Sequence, residues 1–305
     1  MVVIDEATLF LEARSPQGFV ETPYLRELVE RALLYIKAGF PVHFRGGAGT
    51  GKTTLALHIA AKLGRPIVLI YGNDEYNVSD LIGGYFGYKK KTIIDNYVHT
   101  VHKTEEDAVR RWVDQRLTTA CRYGYTLVYD EFTRSRPETN NVLLSILEER
   151  ILDLPIPRGG DRYLQVDPNF AAIFTSNPQE YVGVHKSQDA LEDRMITIDL
   201  DYFDLETEIA ITRSKSGISR EGAEKIVTLV RALRDVAESE AKPTIRAPIM
   251  IAKATKSRKA RVSVEDGQFV RICMDILSSA MLRGAASPAV ERVRSMIGDS
   301  ISKYC

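Results

Sequence analysis

The sequence is poor in the features that mark disulfide-rich, secreted or membrane-spanning proteins. It has 305 residues and only three cysteines, Cys121, Cys273 and Cys305. They are far apart, match no metal-binding spacing and form no even disulfide framework, so we expect reduced thiols in the cytoplasm. No uncharged apolar run approaches the roughly 18 residues that cross a bilayer. Residues 1–6 lack a basic region followed by an apolar core, so we expect no secretion signal.

An excess of charge of either sign is also absent. Lysine and arginine total 41, and aspartate and glutamate total 41. A net charge near zero gives no general attraction to nucleic acid or to an anionic membrane. Hydrophobic residues make up 44% and charged residues 27%, which is an ordinary globular balance. At roughly 150 residues per domain, this length predicts one large domain or two medium ones.

Short apolar strands alternate with helices through the first two thirds of the chain. Thr22 followed by proline is typical of a helix start, because a hydroxyl caps the helix and proline suits its first position. We predict strands at 41–44, 66–71, 125–129, 171–175 and 195–200, and helices at 52–63, 105–123 and 137–150. This alternation predicts an α/β fold in which a parallel sheet is sandwiched by helices.

Two segments interrupt the alternation. Residues 83–96 are predicted to form an inserted loop or hairpin, and residues 151–166 a second hairpin that turns at 155–161. After about Asp204 the strand signals stop, and helices follow with a loop around 241–246. We therefore expect an N-terminal extension at 1–21, a sheet domain at 22–203 and a smaller C-terminal helical domain at 204–305.

A complete phosphate-binding loop follows the first strand. It matches G-x-x-x-x-G-K-[ST] between a strand and a helix, the context that this motif needs. Its backbone N–H groups and the positive end of the helix would cradle phosphates. Lys52 would reach the β- and γ-phosphates, and Thr53 would ligate Mg²⁺. The predicted nucleotide-binding residues are Gly46, Gly47, Ala48, Gly49, Thr50, Gly51, Lys52, Thr53 and Thr54.

The strand at 125–129 ends in two acids. Asp130 would belong to the Mg²⁺ shell, and Glu131 would orient and deprotonate the attacking water. Alone, the pair could be two solvated carboxylates at a strand end, but the upstream glycine loop favours the catalytic interpretation. The sequence has no Asn-Lys-x-Asp segment of the kind that selects guanine. The predicted substrate is therefore ATP, bound with Mg²⁺.

Three more polar residues are candidates for contact with the phosphates. Asn177 follows a strand and could hydrogen-bond the γ-phosphate or the water, although an Asn-Pro turn is the alternative. Arg194 precedes the last strand, at the domain edge, where it could reach a neighbouring subunit's γ-phosphate. The alternative is a surface salt bridge with Asp193 or Asp189. Arg246 starts a predicted helix and could be a second phosphate sensor or a solvated cation.

Two further patterns are weaker. His99 and His102 are three residues apart, but no third metal ligand is visible, so we expect no site there. A basic run could contact nucleic acid, but a solvated helix face is the simpler interpretation. This run consists of Lys253, Lys256, Arg258, Lys259 and Arg261.

The order of these motifs resembles the AAA+ ATPases and, within them, the MoxR group. Residues 140–150 resemble the helix after the acidic strand in that group. The two inserted segments are similar in position to its helix-2 insert and pre-sensor hairpin. Longer strings resemble the gas vesicle protein N family, and they lie at 42–46, 116–122, 130–137, 174–178 and 185–191. The resemblance covers residues 22–216 well and the C-terminal third loosely.

This resemblance implies an ATP-hydrolysing chaperone that forms a ring with itself, expected to be a hexamer. ATP would bind in the α/β domain at 22–203, between subunits, with Arg194 supplied by the neighbour. Hydrolysis would rotate the helical lid domain at 204–305. Loops at 83–91 and 155–160 would act on gas vesicle structural or accessory proteins. The expected location is the cytoplasm, in association with gas vesicles.

Three alternatives stay open from the sequence. A MoxR-type activator of a metalloenzyme or Rubisco shares the ATPase machinery, so only its client would distinguish it. A nucleic-acid motor or clamp loader agrees with the basic run, but net neutrality and the lack of a DNA-binding module oppose it. A nucleotide-gated scaffold with little turnover is opposed by the presence of Glu131 and Asn177.

Overall fold

The computed structural model of the chain describes residues 10–93, 104–155, 162–178, 189–236, 242–282 and 287–305. Its strands are β1 (Val42–Gly46), β2 (Ile67–Tyr71), β3 (Gly83–Ile93), β4 (Thr104–Asp114), β5 (Thr126–Asp130), β6 (Ile151–Asp153), β7 (Tyr163–Gln165), β8 (Ala171–Ser176) and β9 (Ile196–Leu200). Its first seven helices are α1 (Pro23–Lys37), α2 (Lys52–Leu63), α3 (Val78–Ile82), α4 (Arg116–Tyr123), α5 (Pro137–Asn140), α6 (Val142–Leu147) and α7 (Asp189–Glu192). The last five are α8 (Leu205–Ser216), α9 (Arg220–Val236), α10 (Arg246–Arg258), α11 (Gly267–Met281) and α12 (Ser287–Tyr304).

A five-stranded parallel sheet organises the first part of the chain, in the order β2-β5-β8-β1-β9. All five predicted strands of this sheet are confirmed, with small shifts at their ends. Because the strands are parallel, their carboxyl ends meet at one edge. The glycine loop after β1, the acids after β5 and Asn177 after β8 therefore lie at the same edge.

Helices cover both faces of this sheet. Along β5, Leu127 and Tyr129 pack in one hydrophobic cluster, whereas Val128 between them packs in the other. The same alternation occurs in β8, where Phe174 and Ile173 face opposite sides. Burying a large apolar side chain contributes about 1.5–3 kcal/mol, so both faces stabilise the sheet. The predicted α/β sandwich is thus confirmed.

The start of α1 is also as predicted. The Thr22 hydroxyl accepts a hydrogen bond from the Leu25 N–H at 3.4 Å. The same oxygen lies 2.7 Å from the Thr207 hydroxyl of α8. The cap of α1 therefore also contacts α8, the first helix of the C-terminal helical region.

The helix predicted at 105–123 is wrong over most of its length. Residues Thr104–Asp114 form strand β4, antiparallel to β3, and only Arg116–Tyr123 is helical. The register places Lys90 opposite Asp107, so acidic residues that suited a helix start lie across from a basic strand. Pairing with a distant segment overrode local helix propensity here. The insertion predicted at 83–96 is thus one arm of a longer hairpin, and 94–96 lie outside the described residues.

The helix predicted at 137–150 is shorter and divided. It consists of α5 and α6, which meet at Asn141. The Asn140 amide donates to the Phe132 carbonyl at 3.1 Å and accepts from the Tyr129 hydroxyl at 3.2 Å. These bonds hold the short helix α5 against the end of β5. The second hairpin is confirmed, because β6 pairs antiparallel with β7. Of its turn, predicted at 155–161, residues 156–161 lie outside the described residues.

Beyond Asp204 every described element is a helix, as predicted. Helices α9 to α12 enclose a separate apolar core that includes Leu229, Ile251 and Phe269. Buried Glu208 of α8 accepts a hydrogen bond from Arg234 of α9 at 2.8 Å, which offsets the cost of burying either charge. Of the helices that the structure describes, none has the length and apolar character needed to cross a bilayer.

Candidate functional site

A cavity of about 460 Å³ lies at the carboxyl edge of the sheet, under the helical region. Its lining combines polar and apolar side chains. The predicted site residues that line it are Ala48, Gly49, Gly51, Lys52, Thr53, Thr54, Glu131, Asn177 and Arg246. The glycine loop, the residues that follow β5 and β8, and the first residue of α10 therefore line the same cavity.

The glycine loop folds back on the side chain of Lys52. This lysine is buried, and its ammonium donates to the carbonyls of Gly46 at 2.8 Å and Gly47 at 2.7 Å. Gly49 has a φ of 75°, and a Cβ there would lie 2.5 Å from the Thr244 hydroxyl. Glycine therefore allows both the left-handed turn and the close approach of the helical region.

Asp130 joins the glycine loop to the neighbouring strand. Its carboxylate is buried and accepts from the Thr53 hydroxyl at 2.7 Å and the Thr175 hydroxyl at 2.6 Å. A hydroxyl and a carboxylate side by side are hard oxygen donors, which Mg²⁺ prefers, usually together with phosphate oxygens. The pair therefore fits a magnesium ion shared with a nucleotide.

Thr175 is a site residue that the sequence analysis missed. Besides its bond to Asp130, its hydroxyl oxygen accepts from the Glu131 backbone N–H at 2.9 Å. It is fully buried and orients both acids at once. In the sequence, the one indication of its role is that it lies two residues before Asn177. Its contact with Asp130 depends on the parallel pairing of β5 with β8, which local sequence does not reveal.

Replacing Thr175 with valine should lower ATP turnover by about tenfold. Valine keeps the shape but leaves the Glu131 N–H without its acceptor and the buried Asp130 carboxylate without one of its donors, at a cost of about 1–3 kcal/mol. Steady-state hydrolysis and the thermal unfolding midpoint would measure both effects. Thr175→Ser, which keeps the hydroxyl, should retain most of the activity. Full turnover in the valine variant would remove Thr175 from the site.

The residue before Asn177, Ser176, anchors the end of β8. The adjacent Ser176 hydroxyl lies 2.8 Å from Nε2 of His43, whose Nδ1 lies 3.0 Å from the Thr197 hydroxyl. Burial, together with the nearby Arg45 charge, lowers the pKa of His43 to about 4. The imidazole is therefore neutral near pH 7, and it fastens β8 and β9 to β1.

The two arginines lie in different places. Arg246 begins α10, as predicted, and lines the cavity. Arg194 does not line this cavity; it lies between α7 and β9 and pairs with Glu148, with Nε 2.7 Å from Oε2. It also donates to the Ala190 carbonyl at 2.5 Å. The geometry thus brings together the predicted residues except Arg194, which faces another surface.

An N-terminal segment that the sequence analysis missed, Gly18 to Val20, forms part of the cavity lining. Phe19 stacks on His58 of α2, with ring centroids 3.6 Å apart. Ser214 of α8 donates to the Gly18 carbonyl at 3.1 Å, and the Lys215 ammonium donates to the Gln17 carbonyl. No motif marked these residues, because their role depends on folding the chain back over α2. The large apolar side chains of the lining are Phe19, Val20, Leu25, Leu55, Phe203, Ile211, Ile245 and Ile249.

The weaker predictions have different outcomes. His99 and His102 lie outside the described residues. Within the described ranges, no group of three His, Cys, Asp or Glu side chains is placed to hold a metal ion. In the basic run, Lys256 donates to the Gly217 carbonyl at 2.8 Å, so it joins α10 to the end of α8.

A glycine loop between β1 and α2, acids at the end of β5 and the β2-β5-β8-β1-β9 order together define a P-loop ATPase of the AAA class. The family described as "AAA domain (dynein-related subfamily)" matches residues 41–195. The gas vesicle ATPase GvpN of Ancylobacter aquaticus is 50% identical over 97% of this chain and 83% of its own length. GvpN of Haloferax mediterranei is 42% identical over 86% of this chain and 75% of its own.

The chain therefore belongs to the GvpN family of gas vesicle AAA ATPases, and it hydrolyses ATP. This confirms the resemblance inferred from the sequence. Among solved structures, a Thermotoga maritima RuvB mutant superposes with a TM-score of 0.54 at 17% identity, over 88% of this chain and 74% of that one. At this identity the likeness concerns the fold alone, and it agrees with the α/β sheet followed by helices.

Proposed function

We propose that this ATPase forms a ring, a hexamer, that remodels gas vesicle structural or accessory proteins during vesicle assembly. The observation that carries the proposal is the single cavity shared by Lys52, Glu131 and Asn177 of the sheet part and Arg246 of the helical part. Such a cavity lets hydrolysis change the fit between two parts of the chain. Identity with gas vesicle ATPases over nearly the whole chain favours this client over a metalloenzyme, Rubisco or nucleic acid.

Nucleotide binding uses both kinds of lining residue. The apolar side chains take the base, and the glycine loop takes the phosphates. Lys52 exchanges its bonds to the loop carbonyls for phosphate oxygens. Thr53 and Asp130 hold the magnesium ion, which when bound offsets the charge on the phosphates.

Hydrolysis depends on the side chains beyond the γ-phosphate. Glu131 accepts a proton from the attacking water, and Asn177 orients that water or the γ-phosphate. The products are ADP and phosphate. Thr175 keeps Glu131 in place through its backbone N–H.

Movement follows from contacts of the helical region with this same cavity. Arg246 reaches toward the phosphates, while Thr244 lies against Gly49 of the loop. Loss of the γ-phosphate removes a partner for Arg246 and lets the lid domain at 204–305 rotate against the nucleotide-binding domain at 22–203. The hairpin of β3 and β4 and the segment at 155–160 pass this movement to the client at the ring centre.

Replacing Lys52 with alanine should abolish measurable nucleotide binding. The variant loses the buried cation that the loop holds next to the phosphate position. Titration with a fluorescent ATP analogue measures the affinity. Lys62→Ala, at the far end of the same helix, is the matched control and should bind normally. Wild-type affinity in Lys52→Ala would refute the loop assignment.

Client capture tests the proposed function. A Glu131→Gln chain held with ATP and Mg²⁺ should crosslink to purified gas vesicle shell or accessory protein, and native mass spectrometry should find a six-subunit ring. Without ATP the crosslinks should be lost. Rings that capture none of these proteins, or a chain that stays monomeric with ATP, would contradict the proposal.

A further inference from the structure

A buried histidine lies in the middle of the sheet, directly before the phosphate-binding loop. His43 of β1 is 1% exposed, and the loop begins at Gly46, the last residue of the same strand. Burial of an imidazole in a largely apolar sheet is costly unless both ring nitrogens have hydrogen-bond partners. The contacts of His43 therefore indicate what this side chain does.

The register of the strands explains these contacts. His43 lies opposite Thr197 of β9 on one side and Phe174 of β8 on the other. Ser176 lies two residues beyond Phe174 and therefore on the same face of β8. Nδ1 of the ring lies 3.0 Å from the Thr197 hydroxyl, and Nε2 lies 2.8 Å from the Ser176 hydroxyl. Both ring nitrogens are thus engaged, each by a different neighbour of β1.

Aromatic packing also orients the ring. His43 contacts Phe132 edge to face, with ring centroids 5.2 Å apart and an interplanar angle of 87°. Phe132 packs in the same way on Phe174, with centroids 5.5 Å apart. Edge-to-face pairs favour a defined geometry. The imidazole is therefore held by packing as well as by its hydrogen bonds.

The charge state of the imidazole determines how it bonds the two hydroxyls. Burial, and then the Arg45 charge, lower the pKa of His43 to about 4, while the Asp199 carboxylate acts in the opposite direction. A neutral imidazole has one N–H donor and one acceptor nitrogen, so one hydroxyl accepts and the other donates. The bond to Thr197 therefore decides how the other nitrogen bonds Ser176.

Ser176 connects the histidine to the cavity. It is the last residue of β8, and Asn177 follows it directly. Ser176 and Asn177 are each 4% exposed. The Ser176 side chain points to His43, whereas Asn177 lines the cavity. An anchored side chain on the first residue limits the backbone rotation that would swing the second out of position.

We propose that His43 is a positioning residue for ATP hydrolysis, which holds Asn177 at the γ-phosphate through the Ser176 hydroxyl. Thr197 keeps the ring in the orientation and tautomer that this contact needs. The imidazole does not line the cavity, so it acts on the reaction only through its neighbours. The proposal rests on the proposed role of Asn177 in orienting the γ-phosphate or the attacking water.

Replacement of His43 with leucine tests the effect on turnover. Leucine fills a similar space without either hydrogen bond, so kcat should fall by about ten- to hundredfold, as expected for a misplaced group at the reaction centre. AMP-PNP affinity should stay within about twofold, because the residues that bind the phosphates are unchanged. The matched control is Val42→Ala, a buried residue of the same strand that packs in the other hydrophobic cluster. It should lower the thermal unfolding midpoint but leave kcat unchanged.

Two amide substitutions show which ring nitrogen carries the effect. A glutamine amide reaches the position of Nε2 and can bond Ser176, whereas an asparagine amide reaches only the position of Nδ1, near Thr197. His43→Gln should therefore restore most of the turnover that His43→Leu loses, and His43→Asn should not. Equal turnover in the two amide variants would overturn the route through Ser176, because a purely structural role does not distinguish the two hydroxyls.

A double substitution tests whether His43 acts through Asn177. Asn177→Ala should lower kcat with AMP-PNP still bound, and His43→Leu in the same chain should cost no further turnover. Additive losses would contradict the proposal. Wild-type kcat in His43→Leu, or equal losses of turnover and AMP-PNP affinity, would also overturn it.

The role of Asn177 is tested separately by its own single variant. If Asn177→Ala hydrolyses ATP at the wild-type rate, Asn177 does not orient the reacting groups, whatever the His43 variants show. If Asn177→Ala loses turnover while His43→Leu retains it, the role of Asn177 stands and that of His43 fails. The two failures are therefore distinguishable.

Discussion

Glu131→Gln is expected to leave ATP bound and to reduce its hydrolysis by roughly 10²–10⁴. Glutamine has nearly the same shape and keeps the backbone bond to Thr175, but it cannot accept the proton of the attacking water. Single-turnover hydrolysis with radiolabelled ATP measures the rate, and equilibrium titration measures binding.

A matched control separates this effect from a general loss of charge. Glu138→Gln changes an exposed acid in the first turn of α5, outside the cavity, and should hydrolyse ATP at the wild-type rate. Undiminished turnover in Glu131→Gln would remove Glu131 as the base. Loss of ATP binding in the same variant would mean that the substitution disturbs the site instead.

Arg194→Ala is expected to lower turnover by as much as about 10³–10⁵, the range for an arginine that stabilises phosphoryl transfer from a neighbouring subunit. Its guanidinium does not line the cavity of its own chain, and its pairing with Glu148 places it on another surface. Nucleotide affinity should change far less than turnover.

Mixed rings show whether Arg194 acts between subunits. Arg194→Ala chains retain Lys52, and Lys52→Ala chains retain Arg194, so a mixture contains interfaces with both groups intact. Some activity should return on mixing two inactive variants. Arg220→Ala, an exposed arginine paired with Glu206, is the control and should be fully active alone. No recovery, in rings proven to be mixed, would contradict action across the interface.

The sequence predicted those parts of the site that depend on local chemistry. The glycine loop needs its residue types in a fixed order, and the acids directly follow an apolar strand. The helix at 52–63 was predicted to the residue, because Gly64 ends it with a left-handed backbone. The parallel sheet then followed from the alternation of elements.

Features that depend on distant pairing were not predictable in the same way. Residues 104–114 have charges and apolar residues that suit a helix, and only their pairing with β3 makes them a strand. Thr175 lies in a string that resembles the family, but nothing in that string assigns it a role; only the register of β8 brings its hydroxyl to Asp130. Lys215 reaches the cavity because α8 packs against the N-terminal segment.

Complementation in the host tests most directly whether ATP hydrolysis at this site supports vesicle assembly. In a host that lacks this gene, the wild-type chain should restore gas-filled vesicles visible by electron microscopy. The Glu131→Gln chain, at equal abundance and with ATP bound, should not restore them. Normal vesicles in cells that contain only the Glu131→Gln chain would contradict the claim that ATP hydrolysis at this site supports vesicle assembly.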